Sequence, residues 1–445
     1  MRGAIATKQS KCRLEKKIME MTKYKLGDLC RIASSKRIFE SEYVEKGVPF
    51  IRGQEISDGS VLDPKASFEC YISQSRYEEI KEKYGKPTKG DILITAVGTI
   101  GNLCYLDKDI DFYFKDGNVI WFSEIISSCE GKFLFHFMKS SFFKDQLKYF
   151  MIGAVQKALT IDMLKKVEVP LPPLSEQKKI ASVLSALDDK IALNKKMNQK
   201  LERMAKRLYD YWFVQYDFPD KNGHPYKTTG GPMTYSPTLK REIPMGWEVK
   251  NVNDVTTSVR GVSYSSDDEK SKTDSNVVQI LRGNNISGSR FVFDSNDVFV
   301  SSDLVAEEQK ISKFDIVMTM SSGSKEHVGK SALALYDMPY SFGAFCSKFT
   351  PNAETKYFID CYLHSEIFIK YIRQTCSGTG INNLTNGHFD KSLFAWPTED
   401  ILKAFNEKVS AIYEQRGVIE REITRLTALR DKLLPLLMNG QVEVE

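Results

Sequence analysis

The stretch Leu184-Ser-Ala-Leu187-Asp-Asp-Lys-Ile191-Ala-Leu-Asn194-Lys-Lys-Met-Asn198-Gln-Lys-Leu201-Glu-Arg-Met-Ala205-Lys-Arg-Leu208-Tyr-Asp-Tyr-Trp212 decides the fold. Its numbered positions alternate in steps of three and four. A seam of about 3.5-residue period marks a helix that packs along its length on another helix. The same phase returns at Val409, Ile412, Arg416, Ile419, Ile423, Leu426, Arg430, Leu433 and Leu437, each 225 residues after its counterpart. The natural partner of each helix is therefore the other copy. The pair is expected to run antiparallel, with Asn194, Asn198, Arg416 and Arg430 penalising wrong registers. A chain built as domain, helix, domain, helix acts as a ruler, and a long duplex is a substrate that needs one.

The repetition extends outward from the helices. Arg52-Gly53-Gln54-Glu55-Ile56 follows an apolar run, as does Arg282-Gly283-Asn284-Asn285-Ile286. Lys89-Gly90-Asp91-Ile92-Leu93 matches Lys313-Phe314-Asp315-Ile316-Val317, and Gly153 to Thr160 matches Gly378 to Thr385. Tyr24-Lys-Leu-Gly-Asp-Leu29 matches Trp247-Glu-Val-Lys-Asn-Val252. Each unit is thus a domain of about 150 residues, an ordinary domain size, followed by one long helix. The expected class is α+β with a pseudo-two-fold repeat. The segments are an N-terminal arm (1–23), a first globular domain (24–172), a central long helix (173–216), a linker (217–246), a second globular domain (247–396) and a C-terminal long helix (397–445).

A chain of 445 residues with 42% hydrophobic content has room for two or three real cores. No apolar run reaches the roughly 18–20 residues of a membrane span. The basic first 23 residues lack the apolar centre of a signal peptide and are expected to be a disordered arm, or an upstream start before Met21. Eight cysteines without CxxC spacing argue for reduced thiols and a cytoplasmic setting. A net charge of +5 permits nucleic-acid binding without arguing for it. Short β-rich runs (Val48–Ile51, Asp91–Thr95, Val119–Phe122) alternate with turns, and Phe133 to Tyr149 has helical spacing. Ser175 reads as the N-cap of the central helix with Glu176 in its first turn, and Pro397-Thr398 opens the last helix. Residues 217–246 read as a loop, and Ser263–Asn276 as a mobile one.

Catalytic motifs fail on spacing. Gly323 to Gly329-Lys330-Ser331 has five residues between its glycines where a phosphate-cradling loop needs four. Pro219-Asp220 with Asp268-Glu269-Lys270 imitates a nuclease carboxylate set but lies in turn-rich segments. Cys361 and His364 have no second ligand pair and read as a core cysteine and a surface histidine. No metal site, nucleophile elbow or base-flipping motif of an adenine methyltransferase is present in the sequence.

Several loops carry the chemistry of DNA contact instead. Arg52 and Gln54 share a turn pattern with Arg282 and Asn284. Thr95-Ala-Val-Gly-Thr99-Ile-Gly-Asn102 presents backbone N–H groups and small polar side chains, although an ordinary hairpin would have the same composition. Gln156 and Lys157 set an amide and an ammonium between apolar anchors, and Asn382-Asn383 is their analogue in the second copy. An amide bonds adenine bidentately, and a lysine takes guanine or phosphate. The polar loop with Ser322, Lys325 and Lys330 suits phosphates.

These residues resemble the specificity subunit of bacterial type I restriction–modification systems. Val169-Pro-Leu-Pro-Pro-Leu-Ser-Glu-Gln-Lys-Lys-Ile180 resembles that family's junction into its central helix, and Leu208-Tyr-Asp-Tyr-Trp-Phe213 the helix end. Asp217-Phe-Pro-Asp-Lys-Asn-Gly-His-Pro-Tyr226, Gly230-Gly231 and Arg241-Glu-Ile-Pro-Met-Gly-Trp-Glu248 resemble its inter-domain segment. The second junction, Phe394-Ala-Trp-Pro-Thr-Glu-Asp-Ile401, departs from the pattern, and Ile381 stands where the first copy has Gln156. The resemblance implies a non-catalytic reader of a split, asymmetric sequence in double-stranded DNA, one half per domain. Its partners would be two methyltransferase subunits and restriction/translocase subunits. S-adenosylmethionine, Mg2+ and ATP would be bound by those partners and no cofactor by this chain. The weighed alternatives are a stand-alone DNA-cleaving or modifying enzyme, tested by cleavage with magnesium alone, and a coiled-coil adaptor, tested by duplex binding.

Overall fold

The computed structural model describes residues 21–444 except 64, 152–157, 294–296, 325, 376–381 and 443. The described residues form two compact units, one reaching Ile191 and resuming at Arg425, the other running from Ala192 to Thr424. Each contains a segment of both long helices, Leu174–Tyr209 and Glu399–Met438.

In the first unit, Thr22–Lys25 pairs antiparallel with Glu168–Leu171. An antiparallel sheet follows in the order Arg31–Ser34, Val119–Ser123, Ile92–Thr95, Leu103–Tyr105. A second sheet has the order Tyr43–Val44, Tyr71–Ile72, Val48–Ile51, Tyr113–Phe114, its last pair parallel. Ile92–Thr95 is buried throughout because successive side chains enter different cores. Ile92 and Ile94 pack with Phe133 and Phe137 of the helix Gly131–Lys139, while Leu93 packs with Ile51 and Phe114 of the second sheet.

The second unit repeats this order. Glu248–Asn251 pairs with Leu393–Trp396. One sheet runs Thr256–Arg260, Cys346–Pro351, Ile316–Thr319, Ser331–Leu333, and the other Glu269–Lys270, Val298–Ser301, Val277–Leu281, Tyr340–Phe342, again with its last pair parallel. Ile316 and Met318 face helical residues such as Phe358, and Val317 faces Leu281 and Phe342. The turn before the central strand also recurs. Gly90 (φ 98°) and Phe314 (φ 73°) are both left-handed. The Gly90 N–H donates to Leu106 and the Phe314 N–H to Ala334. A phenylalanine there is strained, and its ring is held against Tyr357 at 5.6 Å.

The helix seam is described inside each unit. In the first, Leu184 shares a core with Leu434, Leu437 and Met438. Arg430 Nη1 donates to Asp188 at 3.0 Å, and Lys179 Nζ to the Val444 carbonyl at 3.1 Å. In the second, Asn194 donates to Glu422 at 2.9 Å and Asn198 to Glu420 at 2.6 Å, while Phe213 packs on Phe405 at 4.8 Å. Partner numbers fall as helix numbers rise, so the helices are antiparallel. None of Leu184, Leu187, Ile191, Leu201, Leu208, Val409, Ile412, Ile419, Ile423, Leu426 and Leu433 is exposed.

Some local expectations are corrected. The central helix begins at Leu174, so Ser175 lies inside it, and the Pro173 carbonyl receives the N–H groups of Glu176 and Gln177. The anchoring side chain is Gln177, fully buried, which donates to the Ser128 and Pro172 carbonyls and accepts from Glu130 N–H. The first described strand starts at Thr22 rather than Tyr24; residues 1–20 of the expected arm lie outside the described residues. Residues 217–246 are not a bare loop. They contain the hairpin Met233–Ser236/Arg241–Pro244, and Phe218 stacks on both Tyr226 and Trp247. Ser263–Asn276 contributes an edge strand, Glu269–Lys270, to a sheet. Among the described residues, no helix is long and apolar enough to cross a membrane.

Candidate nucleic-acid interface

In each unit the turn after the second sheet's central strand meets the loop after the first sheet's central strand. A Cβ on Gly53 would stand 3.5 Å from Thr95 Cγ2, and one on Gly283 3.1 Å from Thr319 Cγ2. Both turns are closed alike: the Arg52 N–H donates to Glu55 at 2.8 Å and the Arg282 N–H to Asn285 at 3.0 Å. The next loop is anchored alike too. Leu159 N–H donates to Ala96 in the first unit, and Leu384 N–H to Met320 in the second. Three segments distant in sequence therefore converge at equivalent places in both copies.

Gln54 and Thr99 are exposed on the first unit's surface. Ser57 lies between them: its Oγ is 3.4 Å from Thr99 Oγ1 and accepts from Asn102 Nδ2 at 2.7 Å. Ser57 and Asn102 were not singled out from sequence, although Asn102 closes the quoted loop. Arg52 belongs to the same turn, but its guanidinium donates to Glu69 at 2.6 Å and lies 3.5 Å from Glu55, so its charge is already matched within the fold. Thr95 is a correction. It is buried, its hydroxyl donating to the Thr99 carbonyl and accepting from Asn102 N–H. It shapes the loop and cannot face a ligand. Gln156 and Lys157 lie outside the described residues.

In the second unit Asn284 and Asn383 are exposed. The backbone of Asn382–Asn383 pairs with Ser321–Ser322, which brings two of the expected loops together. Ser322 Oγ accepts from Ser324 N–H. Arg282 hydrogen-bonds the Tyr264 phenol. Lys330 flanks Thr319 through its carbonyl, and its ammonium lies 3.3 Å from His327 Nδ1. Lys325 lies outside the described residues. Ser331 opens a strand rather than a helix, so the glycine–lysine loop lacks the strand–loop–helix order of a nucleotide cradle.

The other chemical candidates resolve into structure. Asp220 accepts from the N–H groups of Asn222 and His224, and Asp268 from Ser265, so each carboxylate closes its own turn. Cys361 is buried against Tyr413. His364 is mostly buried rather than on the surface. Its Nδ1 faces the Asp360 carbonyl at 2.7 Å and its Nε2 the Ser331 carbonyl at 3.1 Å. Two carbonyl acceptors require both ring nitrogens to donate. Burial alone would lower its pKa, but the Asp360 carboxylate outweighs burial and raises it to about 9. Among the described residues, no group of three or more His, Cys, Asp or Glu side chains is placed to hold a metal ion.

Residues 19–203 match the family model described as the type I restriction modification DNA specificity domain. The chain is 28% identical over 418 residues to the type I restriction enzyme MjaIX specificity subunit of Methanocaldococcus jannaschii, covering 91% of this chain and 89% of that one. It is 32% identical over 203 residues to the EcoKI specificity subunit of Escherichia coli, covering 45% and 43% of the two chains. The crystal structure of the type I restriction-modification S subunit from M. genitalium superposes over 96% of this chain and 97% of its own with a TM-score of 0.51. At 14% identity that likeness bears on the fold alone. The chain is thus similar to type I restriction–modification specificity subunits over most of its length, and its first half carries their DNA specificity domain.

Proposed function

We propose that each unit reads one half of a bipartite, asymmetric DNA site. The observation that carries this is the repeated convergence of the Arg-Gly turn, the loop after the central strand and the anchored leucine, on one scaffold with different exposed side chains. An identical frame presenting Gln54, Ser57, Thr99 and Asn102 in one copy and Asn284 and Asn383 in the other suits two modules that recognise different bases. Base edges are told apart by side-chain donors and acceptors, while phosphate contacts only position the protein. The long helices supply the surface on which two methyltransferase subunits dock, and restriction/translocase subunits complete the complex. S-adenosylmethionine, Mg2+ and ATP belong to those partners, and the assembly works in the cytoplasm.

Reconstitution tests this reading. The purified chain should neither methylate nor cleave duplex DNA, and methylation should appear when methyltransferase subunits and S-adenosylmethionine are added. Replacing residues 24–172 with the corresponding domain of another specificity subunit should then change one half of the methylated sequence and leave the other intact. A swap that alters both halves, or methylation by the chain alone, refutes it.

A further inference from the structure

Phe345 is 68% exposed, yet its backbone is tied into the second unit by hydrogen bonds. Its carbonyl accepts two N–H groups, from Met320 and Ser321. The preceding residues are fixed as well: Gly343 N–H donates to Leu281, Ala344 N–H to Val262, and Arg260 Nε to the Ala344 carbonyl. A Cβ on Gly261 would come within 2.2 Å of the Gly343 carbonyl, so no larger residue fits beneath this loop. The result is a backbone pedestal carrying a largely exposed aromatic ring. Its carbonyl joins this loop to Ser321, whose strand pairs with Asn382 and Asn383.

The first unit has the same pedestal with a different residue on it. Lys115 N–H donates to Ile51, as Gly343 donates to Leu281, and Ala96 N–H donates to the Asn118 carbonyl, as Met320 donates to Phe345. Between these anchors lie two residues in the first copy, Asp116 and Gly117, and one in the second, Ala344. Asn118 is half-buried. One scaffold position thus bears a planar amide in one module and an apolar ring in the other. That is the expected behaviour of a position that sets specificity.

We infer that Phe345 is a base-reading residue of the second module, making apolar contact with a thymine methyl group, and that Asn118 is its polar counterpart in the first. This rests on the proposed function above. Phenylalanine matches the thymine C5-methyl in the major groove, whereas an asparagine amide matches the adenine edge. Because the backbone beneath it is already fixed, binding need order only the two torsions of the ring itself.

The test uses the full chain assembled with its methyltransferase subunits and duplexes carrying the methylated sequence. Each thymine of the second half-site is replaced in turn by uracil, which lacks only the methyl. The wild-type complex should lose about tenfold in affinity at one position. Phe345→Ala should bind the parent duplex about tenfold more weakly and be indifferent to that uracil. Phe345→Leu should restore part of the discrimination, and Asn118→Ala should weaken only the first half-site. If Phe345→Ala discriminates as the wild type does, or if no thymine in the second half-site responds, the assignment is wrong. The proposed function would survive that result provided a swap of residues 247–396 still changes the second half-site. A wild-type complex without sequence preference would instead overturn the proposed function itself.

Discussion

Two buried histidines, one in each unit, titrate in opposite directions. His136 is lowered to about 4, chiefly by burial and secondarily by Lys139, against the pull of Asp188. His364 is raised to about 9 by Asp360 in spite of its burial. Stability rises with pH wherever the unfolded chain binds more protons. The first unit should therefore weaken as pH falls from about 6.5 toward 4, and the second as pH rises from about 6.5 toward 9. Hydrogen exchange read separately for the two units should give these opposed slopes, with His136→Gln abolishing one and His364→Gln the other. A second unit equally protected at pH 6.5 and 9 would contradict the charged state assigned to His364. At this scale the sequence was only partly legible. Gln54, Thr99 and Asn284 are exposed as their loops suggested. Thr95 was misread because a small polar residue in a Gly-rich loop has no signature of burial, and Arg52 because its partner Glu69 lies outside the motif. Phe345 had no sequence signal at all, since only backbone pairing distinguishes its pedestal from an ordinary turn.

The seam between the helices changes character along its length. Leucines fill it near Leu184 and Leu434, whereas amides and charges occupy the stretch from Asn194 to Glu202. Arg416 is only 2% exposed and lies 3.7 Å from Asp360 and 3.9 Å from Glu202. Removing one member of a buried ion cluster strands the others, so Arg416→Ala should cost about 3 kcal/mol in denaturant unfolding. A cost below about 1 kcal/mol would mean that Asp360 is adequately held by Tyr413 and His364 without it. Leu201→Asp should lower helicity and stability by roughly 2–3 kcal/mol, because it sets a carboxylate in the seam close to Glu202. The helices were legible because a 3.5-residue period persists over many turns. The inter-domain segment was not, since its order comes from the stacking of Phe218, Tyr226 and Trp247, which follows no period. The first helix's start was misplaced for a related reason: Gln177 does the anchoring through tertiary carbonyls rather than through a local cap.

At the scale of the whole chain, the repeat was legible from the constant 225-residue offset and from anchors such as Lys89-Gly90-Asp91. The sheet orders were not, because strands of two to six residues joined partly in parallel leave no alternation to read. On the proposed function, the repeat also divides the labour of recognition. Each module carries its own copy of the frame, so substitutions in one leave the geometry of the other untouched.

The head of the central helix is where the two described ends of the chain come together. Thr22 pairs with Leu171, and the Val444 carbonyl receives Lys179 Nζ. Order of translation is then arbitrary for this architecture. A circularly permuted polypeptide, with a short flexible peptide joining these ends and new termini opened at the turn 237–240, should fold and keep both halves of its recognition sequence. The hairpin flanking that turn would lose only its covalent closure. Methylation of the parental site by the permuted chain with its partner subunits is the expected outcome. Loss of one half-site alone would mean that the inter-domain hairpin, and not the helix pair, keeps the second module in register.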